Sequence, residues 1–340
     1  MVLKGHDNFT LITTKFFSKK IQKFSDDSTM TKTSFLGKSL VSIRDLSKED
    51  LDLILEEADK MEKIIHSGKR PLEGKVMVSL FMEPSTRTRL SFESAMHRLG
   101  GSVISVSDPK TSSAAKGESL SDTIRTVANY GDVIVIRHPM EGSARLAEEF
   151  SSVPVISGGS GAEEHPTQAL LDLLTLKREL KDINGKRIAM VGDLKYGRTV
   201  HSLAYSLSKF KGVTIDFVSP PSLRIREEIK SDLRESGMKF NEIETLKEVI
   251  PTADAIYMTR IQKERFAQES EYEKVKDAYV LTNKMMVNAK EGMPILHPLP
   301  RVTEISYDLD DTVHAVYFRQ AFNGVLVRMA LLFLTLGGKL

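Results

Sequence analysis

Residues 83–93 read Glu83-Pro-Ser-Thr-Arg-Thr-Arg-Leu-Ser-Phe-Glu93, and this stretch decides the fold. The run before it, 76–82, is short and apolar and predicts a buried strand. After it, the spacing of Leu90, Ala95, Met96 and Leu99 predicts a helix that stops at Gly100-Gly101. Ser85, Thr86, Arg87 and Thr88 therefore stand where a strand hands over to a helix. There the first helical N–H groups lack intrahelical partners and the macrodipole favours an anion. Three hydroxyls and two guanidinium groups within Ser85–Arg89 make a clamp for a phosphate or a small phosphorylated molecule. An N-cap at Ser85 would account for one hydroxyl, not for Ser-Thr-Arg-Thr-Arg.

Working outward, strand and helix signals alternate. Ser47-Lys-Glu-Asp50 resembles a capping box, and Leu51, Ile54, Ala58, Met61 and Ile65 mark a helical face. Strands are expected at 76–82, 102–106, 132–136 and 153–156, with helices at 119–129 and 166–180. The pattern then restarts: strand 187–191, helix 199–210, strand 213–218, helix 222–236, short strands at 255–258, 279–281 and 294–295, and a last helix at 318–336. This predicts an α/β fold of two domains, each a mainly parallel sheet covered by helices on both faces. The first domain is expected over 39–165, joined by the C-terminal helix 318–340, and the second over 166–317. Residues 1–38 are expected to be a mobile N-terminal extension.

The chain of 340 residues carries a net charge of only +2, and seven Lys and three Asp in its first forty residues leave the remainder at −2. The body is not a basic nucleic-acid binder. With no cysteine, disulfides, Cys-based zinc sites and a Cys nucleophile are excluded. No metal or cofactor is expected. No segment approaches the ~18 consecutive apolar residues of a membrane span, so no membrane partner is expected. The first forty residues are a poor signal peptide and, without arginine, a poor presequence, so a cytoplasmic location is expected.

In open α/β sheets ligands bind beyond the carboxyl ends of strands. The donor-rich motifs fall there: Arg137-His138-Pro139, His165-Pro-Thr-Gln168, Gly192-Asp-Leu-Lys-Tyr-Gly-Arg198, Thr259-Arg-Ile-Gln-Lys263 and His297-Pro-Leu-Pro-Arg301. Together they offer many cationic groups, one or two imidazoles and few carboxylates, which suits a strongly anionic set of substrates.

Ser85–Arg89, His165–Gln168 and His297–Arg301, in this order and spacing, resemble the transcarbamylase family over about residues 39–336. The 192–202 motif, Tyr257-Met-Thr-Arg-Ile-Gln-Lys-Glu-Arg265 and Leu299 resemble its aspartate branch. The ornithine branch carries His-Cys-Leu-Pro where this chain has His297-Pro-Leu-Pro300, and a Ser-Met-Gly motif absent here. The resemblance implies carbamoyl transfer from carbamoyl phosphate to L-aspartate, an early step of de novo pyrimidine biosynthesis, with a carbamoyl-phosphate-binding domain followed by an aspartate-binding one. It implies that Ser85, Thr86, Arg87 and Thr88 hold the phosphate. Thr88, Arg137 and His165 would polarise the carbonyl oxygen, and Gln168 with the backbone carbonyls of Pro298 and Leu299 would accept from the carbamoyl NH₂. Arg198, Arg260 and Gln262 would grip the carboxylates of aspartate.

Ser112 and Lys116 lie in a polar loop that reads on its own as a flexible surface turn. The resemblance implies instead that they reach a neighbouring subunit's site, aspartate included for Lys116, in a homotrimer with shared sites. Met140-Glu-Gly-Ser-Ala-Arg145 reads as a solvated helix start or, by resemblance, as the surface for a zinc-bearing regulatory chain. Two rival readings are a transcarbamylase for another amine and a silent phosphometabolite-binding paralogue. Two guanidinium groups suit ornithine's cationic tail badly, and no role is vacant among Arg87, Thr88, Lys116, Arg137 and His165.

Overall fold

The computed structural model describes residues 35–106, 117–261, 268–273, 275 and 278–339, less the side chains of residues 269 and 271. Helix α1 (Lys48–Ile65) begins as its sequence dictates: Asp50 N donates to Ser47 Oγ at 3.1 Å and Ser47 N to Asp50 Oδ2 at 3.0 Å. Its buried face holds Leu51, Ile54, Ala58 and Met61, with Ile64 rather than the expected Ile65 completing it.

The first sheet is parallel, in the order β2-β1-β3-β4, with β1 at Val76–Phe81, β2 at Ser102–Val106, β3 at Val133–His138 and β4 at Val155–Ser160. Helices α2 (Thr86–Arg98), α3 (Leu120–Val127) and α4 (Ser143–Phe150) lie between successive strands. β1, β3 and β4 are almost wholly buried, as parallel strands covered on both faces are, whereas every residue of the edge strand β2 is exposed or half-buried. The other edge is covered: Leu40 N donates to Val155 O and Leu40 O accepts from Ser157 N. The loop expected to begin after 156 starts later, because β4 continues through Gly158-Gly159 to Ser160.

Helix α5 (Pro166–Leu180), buried along most of its length, leads into the second sheet. That sheet is also parallel, in the order β7-β6-β5-β8-β9, with β5 at Arg187–Val191, β6 at Thr214–Val218, β7 at Lys239–Ile243, β8 at Ala255–Met258 and β9 at Ile295–Leu296. Helix α6 (Arg198–Leu207) follows β5 and α7 (Glu227–Glu235) follows β6. The helix expected over 222–236 is shorter, because Pro221–Leu223 forms a single 3₁₀ turn and Arg224 and Arg226 are extended before α7 starts. The strand expected at 279–281 reduces to one bridge, Leu281 to Ile305.

Helix α8 (Tyr317–Leu336) packs against α1, α2 and α5 and ends at Gly337 in a left-handed cap. Among the described residues no helix is long and apolar enough to cross a membrane. The expected extension falls largely outside the described residues, but Gly37 is tied in, its N donating to Thr335 O at 2.9 Å. Residues 36–340 form one compact unit carrying both sheets.

Candidate active site

Each sheet has one point where strand order reverses: between β1 and β3 in the first, between β5 and β8 in the second. Chain leaving these strands diverges in opposite directions and opens a crevice at their carboxyl ends. Both crevices open into one cleft of about 840 Å³. Its wall includes Ser85, Thr86, Arg87 and Thr88 after β1, Arg137 on β3, His165 and Gln168 at the start of α5, Arg198 after β5, Arg260 after β8, and Pro298 and Leu299 after β9. Ser112, Lys116 and Gln262 lie outside the described residues.

Ser85 occupies the N-cap position of α2 with extended backbone but makes no side-chain capping bond, so the simple cap reading does not account for it. Thr88 is buried, its Oγ1 3.4 Å from His165 Nε2. Burial, then the charge of Arg260, lowers the Arg87 guanidinium from its ordinary range. Cations that repel one another across a cleft are stabilised together by an anion placed between them.

Arg137 is buried, donating from Nη1 to Gly158 O at 3.1 Å and from Nη2 to Glu83 Oε1 at 2.8 Å. Burial, then the charge of Arg198, lowers it to about 10. Arg198 donates to Glu83 through both terminal nitrogens, at 3.1 and 3.0 Å, and to Gly161 O at 2.6 Å. Burial pushes the Glu83 carboxyl up, but the bonds and charges of Arg198 and Arg137 outweigh it and hold it below the usual range. The two guanidinium groups crowd Gly159, where φ is +116°: a Cβ there would stand 3.2 Å from Arg137 Nη1 and 3.3 Å from Arg198 Cζ. Only glycine combines that backbone with that closeness.

His165 precedes Pro166 at N1 of α5, its backbone N donating to Ser202 Oγ on α6 at 2.9 Å. Burial, then the charges of Arg137, Arg198 and Arg328, holds its imidazole well below 6.5, so it is neutral at neutral pH. A neutral imidazole can donate one N–H to a developing oxyanion without adding another buried charge.

Gln168 Nε2 donates to Asp172 Oδ1 at 2.8 Å, and Gln320 Nε2 to the same oxygen at 2.6 Å. Gln320 Oε1 accepts from His297 N at 2.8 Å. His297 is buried between Glu304, 2.7 Å from its Nε2, and Leu299 N, which donates to its Nδ1 at 2.8 Å. It therefore braces the turn, in which Leu299 takes the left-handed φ of +54°.

Three lining residues escape the sequence reading. Glu83 is the one carboxylate among the described lining residues, in keeping with the expectation of few; it stands at the head of the decisive motif, but its partners are 54 and 115 residues away. Gln320 and Arg328 come from α8, where polar residues on the buried face of an apolar helix are the available signal. Arg319, next to Gln320 in sequence, is exposed and pairs with Glu179 outside the cleft lining. His138 accepts from Met140 N and braces its own turn.

Residues 38–178 match the family described as aspartate/ornithine carbamoyltransferase, carbamoyl-P binding domain, and residues 184–335 match its Asp/Orn binding domain. The aspartate carbamoyltransferase catalytic subunit of Thermococcus onnurineus is 55% identical over 304 residues, 88% of this chain and 97% of its own. The catalytic subunit of aspartate transcarbamoylase from Methanocaldococcus jannaschii, solved in an orthorhombic crystal form, superposes with a TM-score of 0.80 at 53% identity, covering 87% of this chain and 96% of that one. Aspartate transcarbamoylase from Trypanosoma cruzi in complex with carbamoyl phosphate and aspartate gives a TM-score of 0.85 at 39% identity, covering 89% and 98%. The same enzyme in complex with N-(phosphonacetyl)-L-aspartate gives 0.85 at 40% identity, covering 89% and 97%.

Proposed function

Because this chain belongs to the aspartate/ornithine carbamoyltransferase family, we propose from that premise, and from the cations converging on one cleft, that it is an enzyme transferring the carbamoyl group of carbamoyl phosphate to L-aspartate. The reaction yields N-carbamoyl-L-aspartate and phosphate, an early step of pyrimidine biosynthesis. The carrying observation is the pairing of a phosphate-type clamp after β1 with Arg198 and Arg260 after β5 and β8, all lining the same cleft.

Ser85, Thr86, Arg87 and Thr88 bind the phosphate at the N-terminus of α2. Arg137, His165 and Thr88 donate to the carbonyl oxygen as negative charge develops there. Gln168 and the carbonyls of Pro298 and Leu299 accept from the carbamoyl NH₂. Arg198 and Arg260, with Gln262, bind the two carboxylates of aspartate, whose neutral amine attacks the carbonyl carbon. The new C–N bond forms, the C–O bond to phosphate breaks, and the proton shed by the nitrogen passes to the departing phosphate. Holding amine and carbonyl together in this way supplies effective concentration.

Ser112 and Lys116 complete the site from a neighbouring subunit of a homotrimer, Lys116 toward both substrates. A zinc-bearing regulatory chain docks where Met140 lies exposed ahead of α4. The enzyme works in the cytoplasm, and its two domains meet near residue 165. Titration with N-(phosphonacetyl)-L-aspartate, which joins a phosphonate to a dicarboxylate, tests the cleft. Binding at least about 100-fold tighter than inorganic phosphate is expected, since two charge-assisted carboxylate contacts each contribute about 1.5–3 kcal/mol. Equal affinity for both ligands would remove the aspartate assignment. Mixing Lys116→Ala with Arg87→Ala protein tests the shared site: activity should reappear in mixed trimers, and its absence would place Lys116 in its own subunit's site.

A further inference from the structure

We propose that Asp172 is a positioning residue that fixes which end of the Gln168 amide faces the substrate and, through Gln320, locks the turn starting at His297 into the same frame. The inference rests on reading the cleft as a carbamoyl phosphate site. The backbone N–H of His297 can only donate, so the atom it meets at 2.8 Å on Gln320 is the amide oxygen. The other end of Gln320 is then NH₂, and it donates to Asp172 Oδ1 at 2.6 Å. In the ionised carboxylate that oxygen only accepts, so the Gln168 atom 2.8 Å from it is also NH₂. The Gln168 carbonyl oxygen is thereby the end left over, on a residue that lines the cleft.

The consequence is chemical selectivity. An amide oxygen accepts from a carbamoyl NH₂ and offers nothing to a methyl group, whereas a flipped amide would present its own N–H groups and repel the carbamoyl NH₂. Asp172 and Gln320 are fully buried, on α5 and α8, and lie 148 residues apart in sequence. Removing the carboxylate leaves two buried amide N–H groups without their acceptor and frees Gln168 to turn. A merely structural tie between two helices would need neither this oxygen's double acceptance nor the link to the substrate-contacting turn.

The test uses the full chain in its native assembly and three probes, carbamoyl phosphate, acetyl phosphate and inorganic phosphate, titrated against wild type, Asp172→Ala and Asp172→Asn. Acetyl phosphate replaces the NH₂ by a methyl of similar size. Wild type is expected to prefer carbamoyl over acetyl phosphate by about tenfold or more, the effect of leaving buried acceptors unpaired. Asp172→Ala should bring that preference to within about twofold of unity while inorganic phosphate binds as before. Asp172→Asn should retain it, because its Oδ1 can accept from both glutamines. If Asp172→Ala does not fold, Asp172→Leu fills the volume without an acceptor and serves the same test. An unchanged preference in the Ala or Leu variant, or equal weakening of all three ligands, would overturn the positioning role. Absence of any preference in wild type would instead overturn the reading of the cleft itself.

Discussion

Glu83 is the residue on which the cluster of cations is organised. Without it, Arg137 and Arg198 would face each other in a partly buried space with no counter-charge. Glu83→Gln should lower kcat/KM for L-aspartate about 10- to 100-fold, by loosening Arg198, with little change in phosphate affinity. Steady-state kinetics with phosphate as inhibitor would separate the two. Asp172 allows a test by linkage. Burial raises its carboxyl to about 7, against the opposing effects of Gln320, Tyr257, Gln168 and Arg328, from an ordinary 3.8. Between those values the native chain holds a proton that the unfolded chain has released. The group's contribution is therefore full at low pH and is lost as pH rises through about 7. The melting temperature of wild type relative to Asp172→Asn should fall from about pH 5 to about pH 8, and a constant difference would refute the shift. That Ser85, Thr86, Arg87 and Thr88 belong to one cleft was legible because they sit in a contiguous, unusual motif. Glu83, Asp172 and Gln320 were not, because each acquires meaning only from a partner brought close by the fold.

At the scale of elements, the buried parallel strands were readable because burial on both faces demands unbroken apolar runs. Strand β7 was missed for the opposite reason: Lys239-Phe-Asn-Glu-Ile243 is an exposed edge with mixed polarity. The start of α7 was misjudged because Pro220-Pro221 inserts a separate turn ahead of it. The capping box of α1 was visible, since its two bonds are local in sequence. Ser47→Ala should cost about 1 kcal/mol of stability. Activity should be retained, because α1 does not line the cleft. The late end of β4 is different in kind. Gly159→Ala should impair aspartate turnover by displacing Arg137 and Arg198, and a variant with wild-type kinetics would show that the guanidinium groups tolerate a Cβ there.

For the whole molecule, each sheet contributes one crevice and the proposed chemistry requires both. On that proposal the first carries the phosphate clamp and the oxyanion donors, the second the two arginines for the acceptor. Helix α8 returns from the second sheet to pack on α1, α2 and α5, and from it Gln320 reaches the cleft between the two sets. The proposed trimer adds Lys116 from outside, so specific activity should fall on dilution below the assembly's dissociation constant; activity constant at every concentration would count against a shared site. The central claim is that two arginines beyond β5 and β8 read a dicarboxylate. It is tested most directly by supplying carbamoyl phosphate with equal concentrations of L-aspartate and L-ornithine and identifying the carbamoylated product. N-carbamoyl-L-aspartate as essentially the sole product is the expected result. Citrulline as the main product would contradict the assignment of Arg198 and Arg260 while leaving the phosphate clamp intact.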